Sequence, residues 1–197
     1  MEEGSVTVDG VTRELPNPFT VIATQNPIGS AGTQLLPESQ MDRFMVRLSM
    51  GYPELQDEII ILKNKQSRDS LKLIVQSTTA LEILQIQEQV EKVHIDEDIY
   101  VYIARLAIAT REHQLIRLGV SPRGSIALVR MSKAAAWLSG RDYVIPSDVQ
   151  LVFFDVFEHR LILNSQVSLG NATARNILAR IMQTILPPDI SRKRANL

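Results

Sequence analysis

The strongest indications of a fold lie in residues 19–27, with the sequence FTVIATQNP, and residues 36–53, with the sequence LPESQMDRFMVRLSMGYP. The first stretch is a short, mostly apolar run that stops at Pro27, which cannot donate to a neighbouring strand. Such runs are typical of strands buried on both faces of a parallel sheet. Residues 44–50 alternate in character and predict another strand after a short helix at 37–42. The link between them is long enough for a crossover, so the pattern predicts two parallel strands.

Local signals predict a hairpin before these strands and helices after them. Residues 5–14 alternate around Asp9-Gly10, a strong tight-turn pair. Beyond Pro53 the apolar residues take helical spacing. The predicted helix signals are a capping box from Thr79 to Glu82, a start near Asp96, an N-cap at Ser121, a stop at Gly140 and a last helix over 171–185. The predicted apolar stripes are Leu55, Ile59 and Leu62; Ile99, Ile103, Leu106 and Thr110; Ala127, Met131, Ala134 and Leu138; and Val149, Val152, Phe153, Val156 and Phe157.

The change from strands to helices predicts three parts. We expect residues 1–52 to be the C-terminal part of an α/β core, 53–165 a helical domain, and 166–197 a C-terminal helix and tail. Two parallel strands and a hairpin are too few to cover both faces of a parallel sheet. The first part is therefore expected to be the end of a larger α/β domain.

Composition narrows the classes of function. The chain has 197 residues, a formal net charge of -1 and no cysteine. Disulfides and thiolate metal sites are therefore excluded, and the three scattered histidines indicate no metal site. No apolar stretch has the ~18 residues of a membrane span, and the acidic N-terminus does not resemble a signal peptide, so a cytoplasmic location is expected. Neutral charge and low aromatic content argue against a nucleic-acid motor.

Two polar residues of the first part are candidates for phosphate chemistry. Asn26 follows a predicted buried strand, and ligands of open α/β sheets bind at that end. The alternative is that Asn26-Pro27 is only a turn. Arg43 lies between a short helix and a strand, and its guanidinium matches phosphate geometry. The alternative is a surface arginine paired with Asp42 or Glu38.

Arg123 is the third candidate. Ser121 and Pro122 predict a helix start, which puts Arg123 in the first turn. The helix dipole disfavours a cation there, so the residue has little structural reason for its position. A helix N-terminus with an arginine is a good anion site, which favours a functional interpretation.

A phosphate-binding P-loop pattern is absent from these 197 residues. That loop needs a glycine followed by lysine and serine or threonine, and none of the nine glycines precedes a lysine. An apolar strand ending in Asp-Glu, which would supply a metal carboxylate and a base, is not convincing at 93–97 or 151–156. We therefore expect that the chain alone does not hydrolyse ATP.

Seven segments together resemble the MoxR family of AAA+ ATPases, in the family's order over residues 5–165. They are VTVDG at 6–10, FTVIATQNP at 19–27, LPESQMDRF at 36–44, GYP at 51–53, ATREH at 109–113, GVSPR at 119–123 and GRDYV at 140–144. The resemblance implies an α/β remnant of a AAA+ P-loop core, with parallel strands and a β-hairpin, followed by an all-α lid domain. The family's Walker A and Walker B motifs would precede these segments.

By the resemblance, Asn26 looks like sensor 1, which helps to place the attacking water. Arg43 looks like the arginine finger offered to a neighbouring subunit, and Arg123 looks like sensor 2 of its own subunit. The resemblance also implies ATP with Mg²⁺ in the full-length protein, a hexameric ring, a protein client and a von Willebrand A-domain partner. Two other interpretations remain: a non-catalytic interaction module, and a ring ATPase acting on nucleic acid.

Overall fold

A computed structural model describes residues 4–25, 36–64, 74–164 and 173–189. The chain separates into two compact units. The first comprises residues 1–22 and 48–87, and the second comprises residues 23–47 and 88–197. The domain boundaries predicted at residues 52 and 165 are boundaries of the family's domains, and they stay a prediction. Among the helices of the described ranges, none combines the length and apolar character needed to cross a membrane.

The first unit contains a hairpin and a helix. Strands β1 (Ser5–Val8) and β2 (Val11–Glu14) pair antiparallel, with Val8 opposite Val11. Asp9 and Gly10 have φ of 52° and 76°, the left-handed pair of a two-residue hairpin turn, as predicted. Helix α2 (Leu55–Asn64) follows. No described side chain of this unit is buried, so the predicted stripe of α2 contacts no core.

Helix α3 (Ala80–Lys92) begins at the predicted capping box. The Thr79 amide donates to the Glu82 carboxylate at 2.7 Å, and the Glu82 amide donates to the Thr79 hydroxyl at 3.2 Å. These bonds satisfy donors that a helix start leaves without partners. They also lower the pKa of Glu82, because the backbone and hydroxyl of Thr79 donate to its charged form.

The second unit is built on helices α4 (Glu97–Glu112), α5 (Pro122–Leu138), α6 (Pro146–Phe157) and α7 (Ala174–Thr184), with the short helix α1 (Glu38–Met41). A 3-10 turn at Glu158–Arg160 follows α6. Strands β3 (Ile116–Leu118) and β4 (Ile162–Leu163) pair antiparallel. The predicted starts are observed: Asp96 caps α4 and Ser121 caps α5.

The core of this unit is formed by one face of each long helix. The largest fully buried side chains are Tyr102, Phe153, Phe157, Ile99, Leu106, Leu128, Ile177 and Leu178. The predicted stripes of α4 and α6 are confirmed. The stripe predicted for α5 is wrong at Leu138, which is 78% exposed, because the buried face turns to Leu128, Ser132 and Ala135.

Both predicted parallel strands are absent. Residues 19–25 form no strand, and Ile22 is 88% exposed. Residues 44–50 form no strand either, and Met50 is 99% exposed. An extended segment becomes a strand only with a partner for its backbone groups. Among the described residues, paired strands occur only as β1 with β2 and β3 with β4, and neither pair includes these two segments.

Candidate functional site

The first turn of α5 carries one of the predicted residues. Ser121 is the N-cap, its hydroxyl accepts from the Gly124 amide at 3.4 Å, and Pro122 is the first helical residue. Arg123 therefore lies in the first turn, as predicted, with 40% of its side chain exposed. The dipole of this helix start favours an anion beside it.

The carboxylate of Asp42 meets this helix start. The Ser121 hydroxyl donates to both Asp42 oxygens, at 3.1 and 3.0 Å. The Arg123 guanidinium lies 4.0 Å from Asp42 Oδ2, and Arg160 Nε donates to Asp42 Oδ1 at 3.1 Å. One carboxylate, 25% exposed, thus contacts both the cap of α5 and two arginines. From the sequence, Asp42 was expected only as an alternative partner of Arg43.

Arg160 is the buried member of this cluster, with 1% of its side chain exposed. Besides the Asp42 carboxylate, its guanidinium donates to the backbone carbonyls of Asp42 (3.2 Å), Phe44 (2.6 Å), Met45 (3.2 Å) and Val156. Burial lowers the pKa of Arg160, and the negative charge of Asp42 opposes that effect. Arg160 was not predicted from the sequence, since its only signal is an arginine at the end of a strongly apolar helix.

Gly124 makes room for this arginine. A Cβ on Gly124 would lie 2.8 Å from Arg160 Cδ and 2.5 Å from Val120 Cγ1, distances too short for real contacts. The stem of Arg160 therefore passes directly over the backbone of α5. This close approach packs the first turn of α5 against the 3-10 turn that follows α6.

His159 also contacts the segment around Arg43. Its Nε2 atom lies 3.1 Å from the carbonyl oxygen of Phe44, and the residue is 9% exposed. Burial lowers the pKa of His159 to about 4, and the charge of Arg160 adds to the effect. The ring is therefore neutral at pH 7, and Arg160 carries the positive charge at this position.

Arg43 itself is exposed, directly after the end of α1. Its amide donates to the carbonyl of Gln40 at 3.2 Å. The acidic neighbours proposed as its alternative partners pair elsewhere: Asp42 with Arg123 and Arg160, and Glu38 with Arg117 at 3.8 Å. The structure thus places Arg123 against the residue that precedes Arg43. Asn26 lies outside the described residues.

An open cavity of about 800 Å³ adjoins the cluster. Its polar lining includes Asp42, Ser121, Arg111, Arg117 and Arg160. The lining carries three guanidinium groups and two carboxylates, those of Asp42 and Glu38, so the surface is better suited to an anion than to a cation. Arg111 is held in place by a bond from its Nε to the Val120 carbonyl at 2.8 Å.

Two family models match the chain. The model of the ATPase family associated with various cellular activities (AAA) matches residues 1–46, and the AAA lid domain model matches residues 108–181. The first match includes Arg43, and the second includes Arg123 and Arg160. A protein of Cytophaga hutchinsonii, provisionally described as an ATPase, has a solved structure that superposes with a TM-score of 0.87. It is 33% identical, with 95% of this chain and 60% of that chain covered.

Curated relatives agree with these matches. The uncharacterized protein YeaC of Bacillus subtilis is 40% identical over 95% of this chain and 59% of its own length. Chaperone MoxR1 of Mycobacterium tuberculosis is 32% identical over 97% of this chain and 52% of its own length. The chain thus spans between half and three fifths of these relatives. The expected resemblance is confirmed, and so is the fold class of a AAA+ fragment with a β-hairpin and a helical lid, apart from its two parallel strands. The chain belongs to the MoxR family of AAA+ ATPases.

Proposed function

We propose that this chain supplies the phosphate-sensing and lid parts of a MoxR-type AAA+ ATPase. The full-length protein would couple ATP binding and hydrolysis to the remodelling or maturation of protein complexes. Similarity to Chaperone MoxR1 over almost the whole chain supports a chaperone role. The 197 residues contain no P-loop pattern, so the activity is proposed for the full-length protein and not for this chain alone.

Three residues have proposed roles in the chemistry. Arg43 would reach the nucleotide of a neighbouring subunit and stabilise charge on the transferring phosphoryl group. Arg123 would reach the terminal phosphate in its own subunit, with the start of α5 favouring the same anion. Asn26 would orient the attacking water without adding charge. Mg²⁺ would accompany ATP; the described residues hold no cluster of metal-binding side chains, so we assign no ligand to it.

The position of Arg123 is the observation that carries the proposal. Its side chain is 40% exposed in a helix first turn, and its ion pair with Asp42 is long, at 4.0 Å. A partly exposed pair at that distance contributes little free energy, about 1 kcal/mol or less. A triphosphate brings more negative charge, and two of its oxygens can accept from the guanidinium fork together, so it would replace Asp42 as the partner of Arg123.

Substitution of the two arginines in the full-length protein tests these roles. Arg43→Ala should lower ATP turnover by about 1000-fold or more, because arginine fingers contribute that much, while ATP binding persists. Arg123→Ala should weaken ATP binding and turnover together. Steady-state hydrolysis and titration with a fluorescent ATP analogue measure both. Arg130→Ala is the matched control, an exposed arginine later in α5. Normal turnover in Arg43→Ala would reject the finger role.

The assembly and partners are also proposals. A hexameric ring in the cytoplasm, a protein client and a von Willebrand A-domain partner follow from the family. The interaction-module alternative predicts that neither arginine substitution changes nucleotide binding. The nucleic-acid alternative predicts DNA binding that weakens steeply with salt, which the net charge of -1 disfavours.

A further inference from the structure

We infer that Arg160 and Asp42 are positioning residues for Arg43. This inference rests on the proposed function, since it needs Arg43 to act as the finger. The finger segment, residues 42–45, runs directly past the Arg160 guanidinium. Arg160 donates to carbonyl oxygens on both sides of Arg43: that of Asp42 before it, and those of Phe44 and Met45 after it.

These bonds fix the backbone of the finger segment, as the hydrogen bonds of a β-sheet fix a strand. The finger segment follows a helix of only four residues and forms no strand. Its carbonyls nevertheless find donors, because one planar guanidinium offers five N–H groups in a fixed fork. Arg160 is almost fully buried, so breaking the bonds would leave a charge without water or partner. The backbone of Arg43 is therefore held while its side chain remains exposed.

Asp42 completes the arrangement by neutralising the buried charge. Its carboxylate accepts from Arg160 Nε and from the Ser121 hydroxyl, which also caps α5. The contact joins the finger segment to the helix that carries Arg123. Through one carboxylate, a subunit would thus position two arginines. Arg123 would act on its own nucleotide, and Arg43 would act on the nucleotide of the neighbouring subunit.

Arg160 would hold Arg43 within one subunit, whereas Arg43 would act on the nucleotide of the next subunit. Loss of Arg160 should damage hydrolysis at the neighbouring subunit's nucleotide and leave the subunit's own nucleotide site intact. An ordinary folding defect would damage both. Rings that mix two variants separate these cases.

The experiment uses the full-length protein with Arg160→Lys, which keeps the charge and loses the fork. We expect kcat to fall by about 100-fold, the effect of misplacing a catalytic group by roughly 1 Å. Affinity for the fluorescent ATP analogue should stay within about twofold, since the subunit's own nucleotide site is intact. Mixing Arg160→Lys with Arg123→Ala subunits should raise turnover above that of either variant alone, because the latter carry an intact finger.

Three further variants make the outcome decisive. Arg175→Lys is the matched control: it makes the same exchange at an arginine of α7 whose side chain is 60% exposed, and turnover should be unchanged. Asp42→Asn serves as the second variant if Arg160→Lys does not fold; it should show the same loss but a smaller recovery, because Asp42 also contacts Arg123 of its own subunit. Arg43→Ala is mixed with Arg123→Ala in parallel.

Failure of the inference and failure of the proposed function look different. If Arg43→Ala recovers in the mixture and Arg160→Lys does not, or if Arg160→Lys keeps normal kcat, the positioning role is overturned. If Arg43→Ala itself does not recover, the finger and sensor roles are lost, and the positioning inference is overturned with them.

Discussion

The two units of the chain differ in what holds their elements in place. In the first unit, the hairpin and α2 form although no described side chain there is buried. In the second unit, the long helices share a core of fully buried side chains such as Phe153 and Leu128. Turn residues and caps therefore suffice for local structure, whereas the placement of functional groups depends on the core. The finger segment illustrates this, because Arg160 and His159 of the second unit contact it.

Replacing one leucine of each unit by alanine tests this difference most directly. Leu128→Ala should lower the free energy of unfolding by about 2–5 kcal/mol, since the side chain is fully buried and its loss leaves a cavity. Leu62→Ala should change it by about 0.5 kcal/mol or less, because that leucine is 61% exposed. Urea unfolding of each variant measures both values. Equal losses would show that α2 contributes to a core after all.

Acidification should weaken the second unit through His159. The folded-state pKa is lowered from 6.5 to about 4, so the unfolded chain binds the proton more readily. Stability is therefore full above about pH 6.5 and declines as the pH falls toward 4, by about 2 kcal/mol once solvent screening is allowed for. Urea unfolding near pH 7 and pH 5 measures the slope. His159→Gln should flatten it; an unchanged slope would assign the effect to other groups.

The smallest expected effect concerns the cap of α3. Thr79→Ala removes the hydroxyl that accepts from the Glu82 amide and should cost about 1 kcal/mol of helix stability. Hydrogen exchange at the Glu82 amide should quicken, while Leu128 in the core keeps its protection. Thr79→Ser, which retains the hydroxyl, is the control. Quickened exchange at Leu128 as well would contradict a purely local role for the cap.

Patterns with a local cause were predictable, and patterns that need a distant partner were not. The turn at Asp9-Gly10 and the cap at Ser121 depend on neighbours within a few residues, and both are observed. The strands at 19–24 and 44–50 were expected from apolar character, but a strand also needs a neighbouring backbone. The described residues provide no pairing strand for either segment, so neither forms a ladder, and most of their side chains are exposed.

The family follows from the seven segments of the sequence, and the helix starts and the location of Arg123 in a first turn follow from residues adjacent in the chain. The pairing of Asp42 with Arg160, 118 residues away, and the contact of the same carboxylate with Ser121 depend instead on the tertiary structure. Spacing along a chain carries no information about such a pair. The pair forms because a buried guanidinium needs hydrogen-bond acceptors. The packing of α5 and α6 brings the finger segment beside Arg160, and that segment supplies the acceptors.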